Sequence, residues 1–251
     1  MTGIILAGGE NRRIPWLKGH IEINGKRIID SSVGLMKGLF DRVVISTNAP
    51  ELYFYCGAPM IGDVINQRGP LTGIFSVLSN IKDNAIFAVA CDMPFLNERL
   101  MRYIVDKYEA QQPAISNRQS NPPLPPFSKG GRGGITNSGL RTSSSELKQR
   151  DAVIPVFEGR PQPLFGIYSR NILGVIEERL NKGLKKLKDM LTEINVLYIK
   201  EEEVRQIDPE GRSFLNINTM EDYKKIVISV SEQTLKTDTV TKKGGGKICL
   251  V

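Results

Sequence analysis

Histidine is almost missing from this chain: His20 is its only one, and its three cysteines, Cys56, Cys91 and Cys249, are odd in number and far apart. With neither a CxxC pair nor a histidine cluster, the sequence offers no ligand set for structural zinc and no disulfide framework. The thiols read as buried or incidental groups in a reducing compartment, which points to the cytoplasm. His20 stands just before "IEI" with no partner that would make it an acid or base, and reads as a packing or surface residue. Long apolar runs are missing as well. Gly3–Gly9 ("GIILAGG") is far shorter than a secretion-signal core or the roughly 20 residues needed to cross a bilayer. Cys249 stands third from the end, where prenylation needs the fourth position. No membrane partner is expected.

A basic surplus exists but sits away from the foldable sequence. The 34 Lys and Arg outnumber the 27 Asp and Glu, giving +7 over 251 residues. Residues 117–150 hold six cations against Glu146, and residues 229–251 hold four against Glu232 and Asp238, which together account for all of it. The remainder is neutral, so the high pI is no sign of a nucleic-acid surface, and no nucleic-acid partner is expected. The same two stretches are rich in Pro, Gly and Ser without apolar periodicity, as in "PPLPPFSKGGRGG". Such composition cannot bury enough surface to offset its ordering entropy. The expected organisation is one domain over 1–228, interrupted by a flexible insert at 117–150 and followed by an unstructured tail at 229–251.

What remains alternates strands and helices. "GIILAGG", "RVVIST" and "AIFAVACD" are apolar on both faces, as parallel strands covered by helices on both sides must be. Ile28–Leu39, Leu71–Ile81 and "NERLMRYIVDKYEA" carry helical apolar spacing. "DAVIPVFEGRPQPLFGIYS" reads as two strands about a Glu158-Gly159 turn. Helices over "RNILGVIEERLNKG" and "LKKLKDMLTEI", a strand over "NVLYIKE" and the closing "FLNINTMEDYKKIVI" follow. The pattern predicts an α/β, Rossmann-like, doubly wound and mostly parallel sheet flanked by helices. Such sheets bind ligands at the carboxyl ends of their strands. That rule selects Ala7-Gly8-Gly9, Ser46-Thr47-Asn48, Asp63 and Asp92.

"GIILAGGENRRIPWLKG" matches neither GxxxxGK[ST] nor GxGxxG, so both common phosphate fingerprints are excluded. A strand, a small flexible turn and the cations Arg12, Arg13 and Lys18 remain. The stretch suits an anion cradle of backbone N–H groups with charge-assisted support. It suits equally a plain strand-to-helix turn. Asp92 ends an apolar strand and is followed by Pro94. It suits a Mg²⁺ ligand that shares its ion with substrate phosphates, or a helix N-cap, although Asn97 is better placed for capping. "NINTMED" closes the sheet, with Thr219 and Asp222 spaced as a capping box.

In this order, "LAGG" with Arg-Arg and a Lys, "GPLTGI", "CDMPFL", "RPQPLFGIY" and "NINTMED" resemble the bacterial molybdenum cofactor guanylyltransferases. These are MobA-like members of the nucleotide-diphospho-sugar transferase fold. The resemblance runs from Gly3 to about Ile228, broken only by the insert. It implies GTP held by the backbone of Leu6, Ala7, Gly8 and Gly9, with phosphates gripped by Lys18 and Arg13. Asn48 and Asp63 would hold base and ribose, Asp92 would hold Mg²⁺, and Asn216 and Asn218 would face a pterin. The implied reaction is attack by the terminal phosphate of molybdenum-carrying molybdopterin on the α-phosphorus of GTP. Molybdoenzyme apoproteins or other cofactor-biosynthesis proteins are the implied partners. Two departures stand out. Ser46 occupies the apparent match to a family asparagine, with Asn48 two residues on, and Ile14-Pro15 and Leu17 replace the family's Met-Gly and Asp. A related transferase using CTP or a sugar-phosphate acceptor, and a non-catalytic nucleotide- or cofactor-binding homologue, are the alternative readings.

Overall fold

In the computed structural model, which describes residues 1–8, 17–111 and 150–229, the apolar pentapeptide Thr2–Leu6 forms a wholly buried strand, β1. A small hairpin follows, β2 (Glu22–Ile23) and β3 (Lys26–Arg27). Its turn is Asn24-Gly25, with φ of 53° and 72°, the positive values that two-residue hairpins require. Helix α1 (Ile28–Leu39) leads into β4 (Arg42–Ser46) and the short β5 (Met60–Ile61). Helix α2 (Pro70–Asn80), β6 (Ala85–Ala90) and α3 (Glu98–Glu109) complete the first half. The second half holds β7 (Ala152–Phe157), β8 (Arg160–Pro161), β9 (Phe165–Ser169), α4 (Leu173–Asn181) and α5 (Leu187–Met190). Then come β10 (Val196–Ile199), α6 (Glu201–Ile207) and a closing helix, α7, over 220–229.

The main sheet runs β10-β7-β9-β6-β1-β4-β5, with β8 paired to β7. β1 is parallel to both β4 and β6, β4 to β5, and β7 to β10. β9 runs against the main direction, antiparallel to β6 and to β7, and so does the two-residue β8, antiparallel to β7. The chain winds outward from β1 through β4 to β5 and then returns to β6 on β1's other side. The order therefore reverses between β1 and β6, where open α/β sheets form their ligand crevice.

Alternate residues of each strand feed opposite layers. Ile5, Val43, Ile45 and Phe87 pack under Val33 and Met36 of α1, Leu100 and Ile104 of α3, and Val204 of α6. Ile4, Leu6, Val44 and Ile86 pack under Leu71, Ile74 and Leu78 of α2, with Ile176 of α4 and Met190 of α5. Each such side chain contributes about 1.5–3 kcal/mol on burial, which is why strands apolar on both faces settle in the middle of this sheet.

Several expectations are refined. Ile28–Leu39 is helical as read, and the helix read at Leu71–Ile81 spans Pro70–Asn80. The Glu158-Gly159 turn exists, with φ of 50° and 65°. It joins β7 to the two-residue β8, and the second long strand, β9, begins only at Phe165. "LKKLKDMLTEI" is helical over Leu187–Met190 alone. Residues 215–218 form no strand but reach the sheet through one bond, Ile217 N–H to the Asp92 carbonyl at 3.1 Å. Helix α6 has no counterpart in the sequence reading. The expectations for residues 117–149 and 230–251 lie outside the described residues. Among the described residues no helix is long and apolar enough to cross a membrane.

α6 is tied to α3 by Glu203, which accepts from Tyr103 Oη at 2.6 Å and Lys107 Nζ at 2.8 Å. These two bonds, the lysine's first, hold the Glu203 carboxyl down at about 2, below its ordinary 4.5. A depressed carboxyl stabilises the fold above its unfolded value and loses that contribution as pH falls through the folded one. The window here is roughly pH 4.5 to 2. Solvent reaches both partners, with side-chain exposures of 40% and 30%, so the contribution is about 1 kcal/mol. Glu203→Gln should therefore lower neutral-pH stability slightly and flatten the acid limb of a urea-midpoint-against-pH profile. An unchanged acid limb would contradict the clasp.

Candidate active site

Two clusters of polar groups stand at the carboxyl edge, one on each side of the β1/β6 reversal. The first starts where β1 ends. Ala7 N–H donates to the Ser46 carbonyl at 2.9 Å, and the Leu6 carbonyl accepts from Cys91 N–H at 3.1 Å, so β1 is clamped on both sides to its last residue. Beyond it, a Cβ on Gly8 would meet nothing within 4 Å among the described residues. Its backbone lines a cleft with Leu6, Ser46, Asn48, Asp63 and Gly73. Gly73 is small for a steric reason, since a Cβ would lie 2.7 Å from Ser46 Oγ and 2.9 Å from Leu6 Cδ2. Gly69, at φ 143°, turns the chain into α2, with Pro70 as its first residue.

Asn48 and Asp63 grip each other twice. Asn48 Nδ2 donates to Asp63 Oδ2 at 2.6 Å, and Asp63 N–H donates to Asn48 Oδ1 at 2.7 Å. Partial burial pushes the Asp63 carboxyl above its ordinary value, against the opposing pull of the Asn48 amide and Arg68. This clasp fixes both side chains across the mouths of β4 and β5 and leaves Asp63 Oδ1 outside it. Ser46 is buried and serves packing and backbone pairing, so Asn48, two residues on, is the amide presented to the cleft.

The second cluster centres on Asp92, at the end of β6. Asn97 Oδ1 accepts from Leu100 N–H at 3.1 Å and caps α3, which leaves Asp92 free of that task and removes the capping reading. Lys18, in the short turn Lys18–His20, places Nζ 2.9 Å from Asp92 Oδ2 and 2.5 Å from Asn218 Oδ1. Residues 74 and 200 positions from Lys18 thus share one ammonium. A small satellite core holds the three segments together: Ile21 after the lysine turn, Ile28 of α1, Ile217 between the two asparagines, and Ile226 of α7. Thr219 and Asp222 form the expected capping box, with Asp222 N–H to Thr219 Oγ1 at 3.1 Å and Thr219 N–H to Asp222 Oδ2 at 2.9 Å. Asn216 Oδ1 is buried and has no hydrogen-bond partner among the described residues.

The structure thus brings Leu6, Gly8, Asn48 and Asp63 to one cleft, with Ala7 between them packed against the opposite layer, and brings Lys18, Asp92 and Asn218 together at a second point. Gly9, Arg12, Arg13 and Ile14–Trp16 lie outside the described residues. His20 hydrogen-bonds the Leu52 carbonyl at 3.0 Å and packs on Tyr53 and Tyr55 at ring distances of 5.5 and 5.8 Å, the packing role read from sequence. Burial, then the Asp92 charge, push the Cys91 thiol up to about 12, so it is not a nucleophile at neutral pH. Sequence reasoning missed Gly73 as a wall of the cleft, although "GPLTGI" was visible as a motif. It also missed the contact of Asn218 with Lys18, which no local spacing signals.

Residues 3–132 match the family model of the MobA-like NTP transferase domain. The chain belongs to this family. It is 30% identical over 224 residues to a protein of Peptoclostridium acidaminophilum named probable molybdenum cofactor guanylyltransferase, covering 89% of this chain and 87% of that one. It is 31% identical over 226 residues to the molybdenum cofactor guanylyltransferase of Desulfosudis oleivorans, covering 90% and 93% respectively. The solved structure of molybdopterin-guanine dinucleotide biosynthesis protein A from Archaeoglobus fulgidus superposes with a TM-score of 0.68 at 24% identity, over 92% of this chain and all of that one. The chain is accordingly a nucleotidyltransferase-family protein with the nucleotide-diphospho-sugar transferase fold, the fold that the resemblance implied for the mostly parallel sheet read from its alternating pattern.

Proposed function

We propose that this protein transfers GMP from GTP to molybdenum-carrying molybdopterin, forming the guanine dinucleotide cofactor and releasing pyrophosphate. The observation that supports it best is the meeting of Lys18 and Asp92 just beyond the end of β6, at the carboxyl edge of the sheet, in a chain of this family. The terminal phosphate of molybdopterin is already an anion, so it attacks the α-phosphorus of GTP without a general base. That fits the engagement of His20 elsewhere. The chain's part is positioning and charge neutralisation, which dominate phosphoryl chemistry. Leu6, Ala7 and Gly8 offer backbone to the nucleotide, Asn48 and Asp63 hold its base and ribose, and Lys18 takes its phosphates. Asn216 and Asn218 face the acceptor, where the unpartnered Asn216 Oδ1 suits a heterocycle's N–H donor.

A magnesium ion fits the donor set: Asp92 and Asn218 aim hard oxygens at one cationic point, and Mg²⁺ commonly takes one or two carboxylates plus substrate phosphates. When bound, it neutralises charge on the transferring phosphate and on leaving pyrophosphate. The deciding experiment incubates purified protein with Mg²⁺, molybdenum-loaded molybdopterin and labelled GTP or CTP. Pyrophosphate release with GTP is expected. Preference for CTP would move the protein to a related transferase, and binding without release would end the catalytic reading.

Within that reading, Asn48→Ala removes one half of the clasp and lets Asp63 drift from the cleft. KM for GTP should rise about tenfold with kcat changed little, the pattern of a lost ground-state contact. An unaltered KM would exclude Asn48 and its partner from nucleotide binding.

A further inference from the structure

The two charged groups assigned to nucleotide and metal are, in this structure, bonded to each other. Lys18 Nζ lies on Asp92 Oδ2 at 2.9 Å and on Asn218 Oδ1 at 2.5 Å, the very oxygens that suit a divalent cation. The side chain of Asp92 is only 15% exposed, so Lys18 covers much of the approach a second cation would need. Two cations on one largely buried carboxylate repel strongly. We propose that Lys18 holds the cation position in the nucleotide-free protein and yields it to a divalent ion when a nucleoside triphosphate draws the ammonium away. Nucleotide and metal then bind with positive coupling.

This inference rests on the nucleotidyltransferase reading of the site, and three features support it. Lysine carries a compact charge on a flexible four-carbon stem with three donors, so Nζ can pass from a carboxylate to a phosphate oxygen by side-chain rotation alone. The backbone that carries Asn218 does not follow it, because Asn218 N–H is bonded to Asp222 Oδ2 at 3.0 Å and Ile217 N–H to the Asp92 carbonyl at 3.1 Å. The two residues that bear the oxygens therefore keep their positions when the ammonium leaves. Exchange also serves order: a free divalent ion is disfavoured while Lys18 is home, and the triphosphate that moves Lys18 brings its own metal-binding oxygens. Coupling of this kind is reciprocal, so the metal raises nucleotide affinity by the same factor.

The test is Mn²⁺ titration of the full chain without nucleotide, with free Mn²⁺ followed by electron paramagnetic resonance. Lys18→Met, an unbranched side chain one atom shorter and without the charge, should bind Mn²⁺ about tenfold more tightly than wild type. Lys18→Arg should stay as weak as wild type, and Asp92→Asn should bind least. A non-hydrolysable GTP analogue should tighten Mn²⁺ binding more in wild type than in Lys18→Met. Circular dichroism checks that each variant is folded, and Lys18→Gln replaces Lys18→Met should the latter not fold. Mn²⁺ binding by the uncharged variant no tighter than wild type overturns the exchange. GMP transfer by wild type in that case leaves the proposed function standing. A tenfold Mn²⁺ gain in a protein that transfers no GMP leaves the exchange standing and overturns the function.

Discussion

Replacing Asp92 by asparagine should cut GMP transfer by about a thousandfold or more while the protein stays folded. The two side chains have the same shape, and an amide oxygen still accepts from Lys18 Nζ. The backbone bond from Ile217 N–H to the residue-92 carbonyl, 3.1 Å in this structure, is untouched. Losing an ion pair whose side chains are 24% and 15% exposed costs about 1–2 kcal/mol, or roughly 2–8 °C in a domain of this size. Chemistry loses far more, because the carboxylate is the one anion, among the described groups at the β1/β6 reversal, placed to hold a divalent ion against the transferring phosphate. A thousandfold corresponds to about 4 kcal/mol of transition-state stabilisation, within reach of a displaced metal ion. Steady-state rates and a thermal melt of the same preparation check both halves. A rate within tenfold of wild type would falsify the assignment of Asp92 to the cation.

Why was Asp92 legible in the sequence and Asn218 less so? Asp92 breaks an apolar run with a charge and is followed by Pro94, a local anomaly at a strand end that needs no tertiary knowledge. Asn218 owes its bond with Lys18 to the satellite core of Ile21, Ile28, Ile217 and Ile226, and no spacing within "NINTMED" shows which turn that segment will meet. Strands β1, β4 and β6 were readable because burial on both faces leaves continuous apolar runs. The hairpin at Asn24-Gly25 carried its turn signal, but strands of two residues have no periodicity to confirm it. Helix α6 went unread for a related reason. Its seven residues include Glu201, Glu202, Glu203 and Arg205, and Val204 is the only one fully buried. What fixes that helix is the contact of Glu203 with Tyr103 and Lys107, about a hundred positions earlier.

Gly166→Ala should be the most damaging single-methyl change in the second half of the sheet, costing at least about 3 kcal/mol, at or beyond the upper end of ordinary overpacking. Gly166 lies in β9, opposite Ala88 of β6. A Cβ there would stand 2.6 Å from the Val153 carbonyl and 2.8 Å from Ile154 Cδ1. A flexible side chain would yield to such a contact, but the nearest atom is backbone of the paired strand β7, clamped in turn by β10. Relief requires β7 and β9 to part, and with them the β9 start that follows Gln162–Leu164 at the ligand edge beside Asp92. Activity should therefore fall together with stability. Gly174→Ala in α4 supplies the opposite sign: its Cβ would meet nothing within 4 Å among the described residues, and alanine exceeds glycine in helix propensity by about 0.8–1.0 kcal/mol. The two melts should move apart, Gly166→Ala downward by roughly 6–12 °C and Gly174→Ala upward by roughly 2–4 °C. A Gly166→Ala protein melting with wild type would mean that β9 does not run between β6 and β7 in this register.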